Sequence, residues 1–437
     1  MKARPLGLAN SLHDELTGSY EFIMNIDGVE KKLTEEEVRT YRQHTDRSIR
    51  REAYISLRRV YNSKQNQITL WNIYTNIVKD WSSEIRMRKY GENVMAQRNI
   101  SEEMEDSVVD MLLSEVENAY PMYDRFLRAK AKMLGLWSDF SVWDVGAPLG
   151  SVDKEFSFEE AYDLHLSVMK DFDEEFYDYS KRMIDEERID AFPKAGKRWG
   201  AFASYRKWDE SMVLLNFTGK LRDVSTISHE LGHAIHGHLS QVQEDPVYDS
   251  PFSMAETASI FAEMLLGEKV KSLVSAEEYK EYLNERLSDI FATIFRQVQY
   301  VIFERKVHES IHKGTELTYK DLNGMWRVEQ DKLYGGAVKY DVSGEEESGW
   351  SMIPHIYHTP FYCYAYAFWN LLTFALYNRV AAGTLSIEDY KDILRAGGSE
   401  RPKDLLARYG IDITSPSFYR DWLREVEKMV EEFESLI

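Results

Sequence analysis

The sequence predicts a mainly α, multi-helix fold with one small β-sheet, and three observations predict it. Glycine and proline are scarce, 23 and 10 in 437 residues, so few positions interrupt regular structure. A hydroxyl stands three residues before a carboxylate in Thr34 with Glu37, Ser157 with Glu160 and Ser275 with Glu278, each a capping-box signature at the head of a periodic stretch. Long segments also repeat apolar residues at helical spacing with charges between them.

In chain order, residues 45–90 carry Ala53, Leu57, Val60, Tyr61, Ile68, Trp71, Ile73, Ile77 and Trp81, and read as one or two long amphipathic helices. Residues 101–134 and 156–189 read as further long helices, the second with Leu164, Val168, Phe172 and Phe176 at four-residue steps. Strand signals are confined to the middle: Trp199 to Phe202, and Ser211 to Phe217 closed by Thr218-Gly219, predict the small sheet. Between Tyr334 and Trp350, four glycines and no helical period predict a long loop. The expected division is an N-terminal helical region at 1–140 followed by a main domain at 141–437.

Charge and cysteine usage narrow the chemistry. Lys+Arg 54 against Asp+Glu 74 gives a net charge of -20, which repels phosphate backbones and anionic lipid, so neither nucleic acid nor a membrane is expected as partner. No leader-like or membrane-length apolar run is present, and a cytoplasmic location is expected. The single cysteine, Cys363, can form neither an internal disulfide nor a thiolate cluster, so a bound metal must be held by histidine and carboxylate.

That combination occurs at His229-Glu230-Leu-Gly-His233, a His-Glu-x-x-His run in a helix-compatible segment. Residues four apart share a helix face, so His229 and His233 can address one ion, and Glu230 can act as general base on a water that zinc has acidified. With 11 histidines in the chain, a chance match is expected ~0.05 times. A catalytic zinc takes three protein ligands, and the nearby positions that one large class of such enzymes uses hold His236 and Leu239 instead. The third ligand must lie further on. Met254 to Leu265 reads as the next helix, with Glu256 and Glu263 on one face among apolar residues, where unpaired acids are costly. Glu256 is therefore the candidate third ligand, and Glu263 the candidate acceptor that orients a ligand histidine. His236 and His238 are read as polar positions at a helix end.

These residues, with Glu256-Thr-Ala-Ser, Gly200-Ala-Phe, Leu215-Asn-Phe217-Thr-Gly219 and Ile353-Pro-His355-Ile-Tyr-His-Thr-Pro-Phe-Tyr362-Cys-Tyr364-Ala-Tyr366, resemble the oligoendopeptidase F branch of the thimet oligopeptidase family. The resemblance implies a zincin-like, gluzincin fold with a deep substrate channel, the small sheet beside the zinc helix, and cleavage of short oligopeptides. It implies one zinc per chain on His229, His233 and Glu256, Glu230 as base, and oxyanion donors at His355 and at Tyr364 or, as the competing choice, Tyr362. It also implies that 141–437 is the catalytic domain. Members of the family usually carry a further N-terminal lobe, which is expected to be partly or wholly absent here. Residues Leu214 to Phe217 are expected to offer a sheet edge to an extended peptide. Two other readings stay open, a helical zinc metallocarboxypeptidase and an inactive peptide-binding fragment.

Overall fold

The structure is a computed structural model that describes residues 5–150, 155–194, 196–198, 200–340 and 348–437. All three capping boxes form, each starting a helix at the residue that follows its hydroxyl. Residues 45–90 form two helices, Arg47–Tyr61 and Lys64–Arg88, started by the side chains of Asp46 and Ser63. Two segments expected to be continuous are broken. Residues 101–134 split into Asp106–Asn118 and Tyr120–Met133 at Ala119, just before Pro121. Residues 156–189 split into Phe158–Phe172 and Glu174–Asp185, because Asp173 turns extended and its carboxylate takes the N–H groups of Glu175 and Phe176.

Strands are not confined to the middle of the chain. A hairpin, β1 (Phe22–Ile26) and β2 (Val29–Leu33), precedes the first long helix and turns on Asp27 and Gly28, both with positive φ. The three-stranded sheet is built from β3 (Ile189–Asp190), β4 (Phe202–Ser204) and β5 (Met212–Leu214) in the order β3-β5-β4. Trp199, with which the first strand signal began, lies outside the described residues, as do residues 341–347 of the loop expected between Tyr334 and Trp350. The start of that loop is set by Gly335, which ends the helix Tyr319–Tyr334 in a left-handed conformation.

Two apolar cores organise the molecule. The larger surrounds the motif helix Leu221–Leu239 and its neighbours, including Leu231, Ala258, Phe261, Tyr364 and Phe368. The smaller joins β1 and the two helices of 47–88 to Phe303, Trp326, Trp350, Ile356 and Tyr357. His355 therefore stands on an element rooted in the second core, the short helix Pro354–His358, while the His-Glu-x-x-His residues stand on an element rooted in the first. No described helix is long and apolar enough to cross a membrane.

The motif helix and the following helix, Thr257–Val270, meet at a close backbone junction in the first core. A Cβ on Gly232 would lie 2.6 Å from the Ala258 carbonyl oxygen and 2.6 Å from Ser259 Cα, so only glycine lets the two backbones meet. Both obstructing atoms are backbone, and no side-chain rotation relieves the clash. Gly232→Ala is expected to lower the unfolding free energy by about 1–3 kcal/mol and to impair the neighbouring site, read by urea unfolding and activity. Unchanged stability and activity would mean that this contact is loose.

Candidate active site

The motif helix buries its apolar residues Val224, Ile227, Leu231 and Ile235 and turns His229 and His233 to one side. Their rings are nearly perpendicular, at 82° with centroids 4.8 Å apart. Glu256 is the N-cap residue of the next helix, just outside its first turn, and the Gly232 junction carries it across to both histidines. Its Oε2 lies 3.3 Å from His229 Nε2 and 3.2 Å from His233 Nε2. Ser259 Oγ donates to the same oxygen at 2.6 Å and fixes the carboxylate. Glu263, two turns along, accepts from His229 Nδ1 on the opposite edge of the ring. The sequence-predicted residues His229, His233, Glu256 and Glu263 are thus brought together in one cluster.

The donor set suits a divalent cation of the zinc class. Two imidazole nitrogens and one carboxylate oxygen lie within 4.8 Å of one another. Burial alone would depress His229, but its hydrogen bonds to Glu256 and Glu263 hold it well above the ordinary imidazole value. Burial alone would raise Glu256, but the two imidazoles hold it well below the usual carboxylate range. Protons held between these groups are what a cation replaces on binding.

Glu230 points off the same helix and is buried. Burial raises its carboxyl, opposed by His229 and His233 and by a hydrogen bond from the backbone of Ala203 in β4. This bond changes the reading of the sheet. Leu214 to Phe217 is not a free edge: β5 is the central strand, and the N–H groups of Leu215 and Phe217 already donate to Asp190 and Ala191. The edge beside Glu230 belongs to β4, which pairs with β5 on its other side.

The tyrosine assignment also changes. Tyr364 is 0% exposed, and the charged groups that bear on its hydroxyl are Glu102, Arg98 and Asp106, away from the histidines. Tyr362 and Tyr366 both feel the Glu256 carboxylate instead, and Tyr366 Oη lies 3.2 Å from His355 Nε2. The reason is the turn ahead of the helix Tyr364–Ala381. Phe361 adopts φ 62°, its N–H donates to buried Glu304 at 2.9 Å, and Arg98 Nε donates to the Pro360 carbonyl at 3.0 Å. With the turn pinned from both sides, Tyr362 and Tyr366, four residues apart, share the face toward the site and Tyr364 turns into the core. Tyr366 was present in the sequence motif but carried no separate signal; the four-residue helical phase from Tyr362 could have found it. Burial depresses the His355 imidazole and raises both phenols, so near neutral pH all three are uncharged hydrogen-bond donors.

One cavity borders the cluster and a second lies beyond His355. One of about 580 Å³ is lined by His229, Glu256, Glu263, Tyr366 and Trp369, and one of about 640 Å³ by His355, Tyr20 and Tyr300. His236 does lie in the last turn of the motif helix, but buried, and burial pushes it down to about 4. His238 stacks on Tyr179 with centroids 4.2 Å apart.

Residues 40–425 match the description Peptidase family M3. Oligoendopeptidase F, chromosomal, of Lactococcus lactis subsp. cremoris is 29% identical over 430 residues, 98% of this chain and 70% of that protein. A crystal structure from Chlamydophila abortus, described as a peptidase, has a TM-score of 0.90 at 27% identity over 99% of this chain and 73% of its own. The oligoendopeptidase-F structure from Enterococcus faecium has a TM-score of 0.77 at 22% identity over 99% of this chain and 72% of its own, a likeness of fold.

Behind the motif helix, His165 bonds Ser228 Oγ and Ser180 Oγ, each at 3.0 Å, and burial pushes its imidazole down to about 3. In the unfolded chain this group and His236 titrate near ~6.5. As pH falls below that value, the unfolded chain takes up protons that the folded chain refuses, so stability drops with them. Between pH 7 and pH 5 this contribution lowers the urea midpoint in the parent and is absent in His165→Asn, so the midpoint is expected to drop by less, or rise by more, in the variant; the same slope in both proteins would remove His165 from the account.

Proposed function

The chain belongs to peptidase family M3, and from that premise we propose that it is a zinc metalloendopeptidase that hydrolyses short oligopeptides. The observation that carries the proposal is the His229, His233 and Glu256 cluster with buried Glu230 beside it. A zinc ion held by those three residues would supply Lewis-acid chemistry, polarising a scissile carbonyl and acidifying a water.

The remaining work falls to the chain's own groups. The Glu230 carboxylate takes a proton from the attacking water and returns it to the departing amine; burial raises its carboxyl, which favours both transfers near neutral pH. His355 and Tyr366 donate hydrogen bonds where the carbonyl oxygen becomes an oxyanion, with Tyr362 beside them. Glu263 holds the His229 ring by its far nitrogen, and Ser259 holds Glu256. An extended peptide pairs with the outer edge of β4, taking over the Ala203 backbone group that Glu230 holds, so backbone recognition comes with little demand on side chains. The cavity bordering His229 and Glu256 gives a substrate room beside the cluster, and the endopeptidase reading over a carboxypeptidase rests on membership of peptidase family M3 and its oligoendopeptidase relatives. These residues lie within 141–437, to which the catalytic role is assigned.

Glu230→Gln is expected to keep its zinc, measured by elemental analysis, and to lose ~10²–10⁴-fold in hydrolysis of an internally quenched peptide. Hydrolysis within a few-fold of the parent would overturn the proposed mechanism. The tyrosines are separated by a second comparison. Tyr366→Phe is expected to lower kcat by ~10²-fold at nearly constant KM, while Tyr364→Phe stays within about twofold of the parent. The reverse order would restore Tyr364 as the donor.

A further inference from the structure

A second cluster repeats the geometry of the candidate metal centre in a different part of the molecule. His13 and Asp14 lie on the N-terminal helix Pro5–Gly18, and His358 is the last residue of the short helix Pro354–His358. Asp14 Oδ1 is 3.1 Å from His13 Nδ1 and 2.9 Å from His358 Nε2. The two rings stand at 87° with centroids 5.4 Å apart, and their donor atoms and the carboxylate oxygen lie within 4.8 Å of one another. One carboxylate oxygen between two near-perpendicular imidazoles is also the arrangement of Glu256, His229 and His233. Among the described residues, these are the two clusters of this kind.

We propose that His13, Asp14 and His358 form a second divalent-cation site, of the zinc class, that clamps the N-terminal helix to the helix carrying His355. The donor set excludes magnesium and calcium as preferred occupants, since two of its three atoms are imidazole nitrogens. His13 is preorganised: it is 4% exposed and stacks on Tyr357 with ring centroids 4.1 Å apart. The site is more open than the first, with the Asp14 side chain 58% exposed against 23% for Glu256, so water completes the coordination and the ion exchanges more readily. The clamp reaches the proposed catalytic machinery through one turn of helix, because His355 lies three residues before His358 and lines the same 640 Å³ cavity as His13 and Asp14.

The test titrates zinc into the full chain by equilibrium dialysis and follows backbone hydrogen exchange of residues 5–18. The parent protein is expected to bind two equivalents, the second more weakly, with slowed exchange in the N-terminal helix as the second binds. His358→Ala and Asp14→Asn, on separate helices, are each expected to lose the second equivalent and the slowed exchange while keeping the first. A single equivalent in the parent that both variants retain, or a second that persists in both variants, would overturn the proposal. Failure of the His229 centre to hold zinc would remove the first equivalent from all three proteins and leave the His358-dependent one, so the two readings fail separately.

Discussion

The backbone contact between the motif helix and the helix after it is the constraint on which the site depends. With hydrogen as its side chain, Gly232 lets Ala258 and Ser259 approach to a separation that any Cβ would forbid. That approach converts a sequence separation of more than twenty residues into a carboxylate oxygen within 3.3 Å of two imidazoles. Helix periodicity alone supplies two candidate ligands on one face. The third candidate comes from another element, and its placement is a packing problem solved at the glycine.

Around that contact, the site uses the seam between two cores. The larger core fixes the motif helix, with His165 bonded to Ser228 behind it, and so fixes the candidate ligands and Glu230. The smaller core fixes Ile356 and Tyr357, and so fixes His355. The turn through Phe361 joins the two, and its strained backbone is held by Glu304 from one side and Arg98 from the other. Burial keeps the Glu304 carboxyl well above the usual carboxylate range, so it accepts the Phe361 N–H without bringing a full charge into the core.

Much of this was legible in the sequence, for reasons that are local. His229, Glu230 and His233 follow from helical spacing, and the capping boxes mark helix starts because their hydrogen bonds span three residues. Glu256 and Glu263 were legible because acids among apolar residues demand partners, and they find them in the two histidines, Glu256 beside both His229 and His233 and Glu263 on the far nitrogen of His229. What failed depended on non-local facts. Whether Tyr364 or Tyr366 faces the site is set by the phase in which the helix leaves the Phe361 turn, and that phase is fixed by Glu304 and Arg98 from distant segments. The central position of β5 depends on β3, a two-residue strand too short to carry a pattern. The break at Asp173 and the hairpin at Asp27-Gly28 did have local signals, an acceptor side chain at a helix start and a two-residue turn, which the longer periodicities masked.

His229, His233 and Glu256 are proposed to form one metal centre assembled by the Gly232 contact. Anomalous diffraction at the zinc edge, from crystals of the chain loaded with one equivalent of zinc, tests it most directly. The predicted result is a single strong peak at about 2.0–2.2 Å from both histidine nitrogens and a Glu256 oxygen. A peak elsewhere, or one that His229 and His233 share without Glu256, would contradict it.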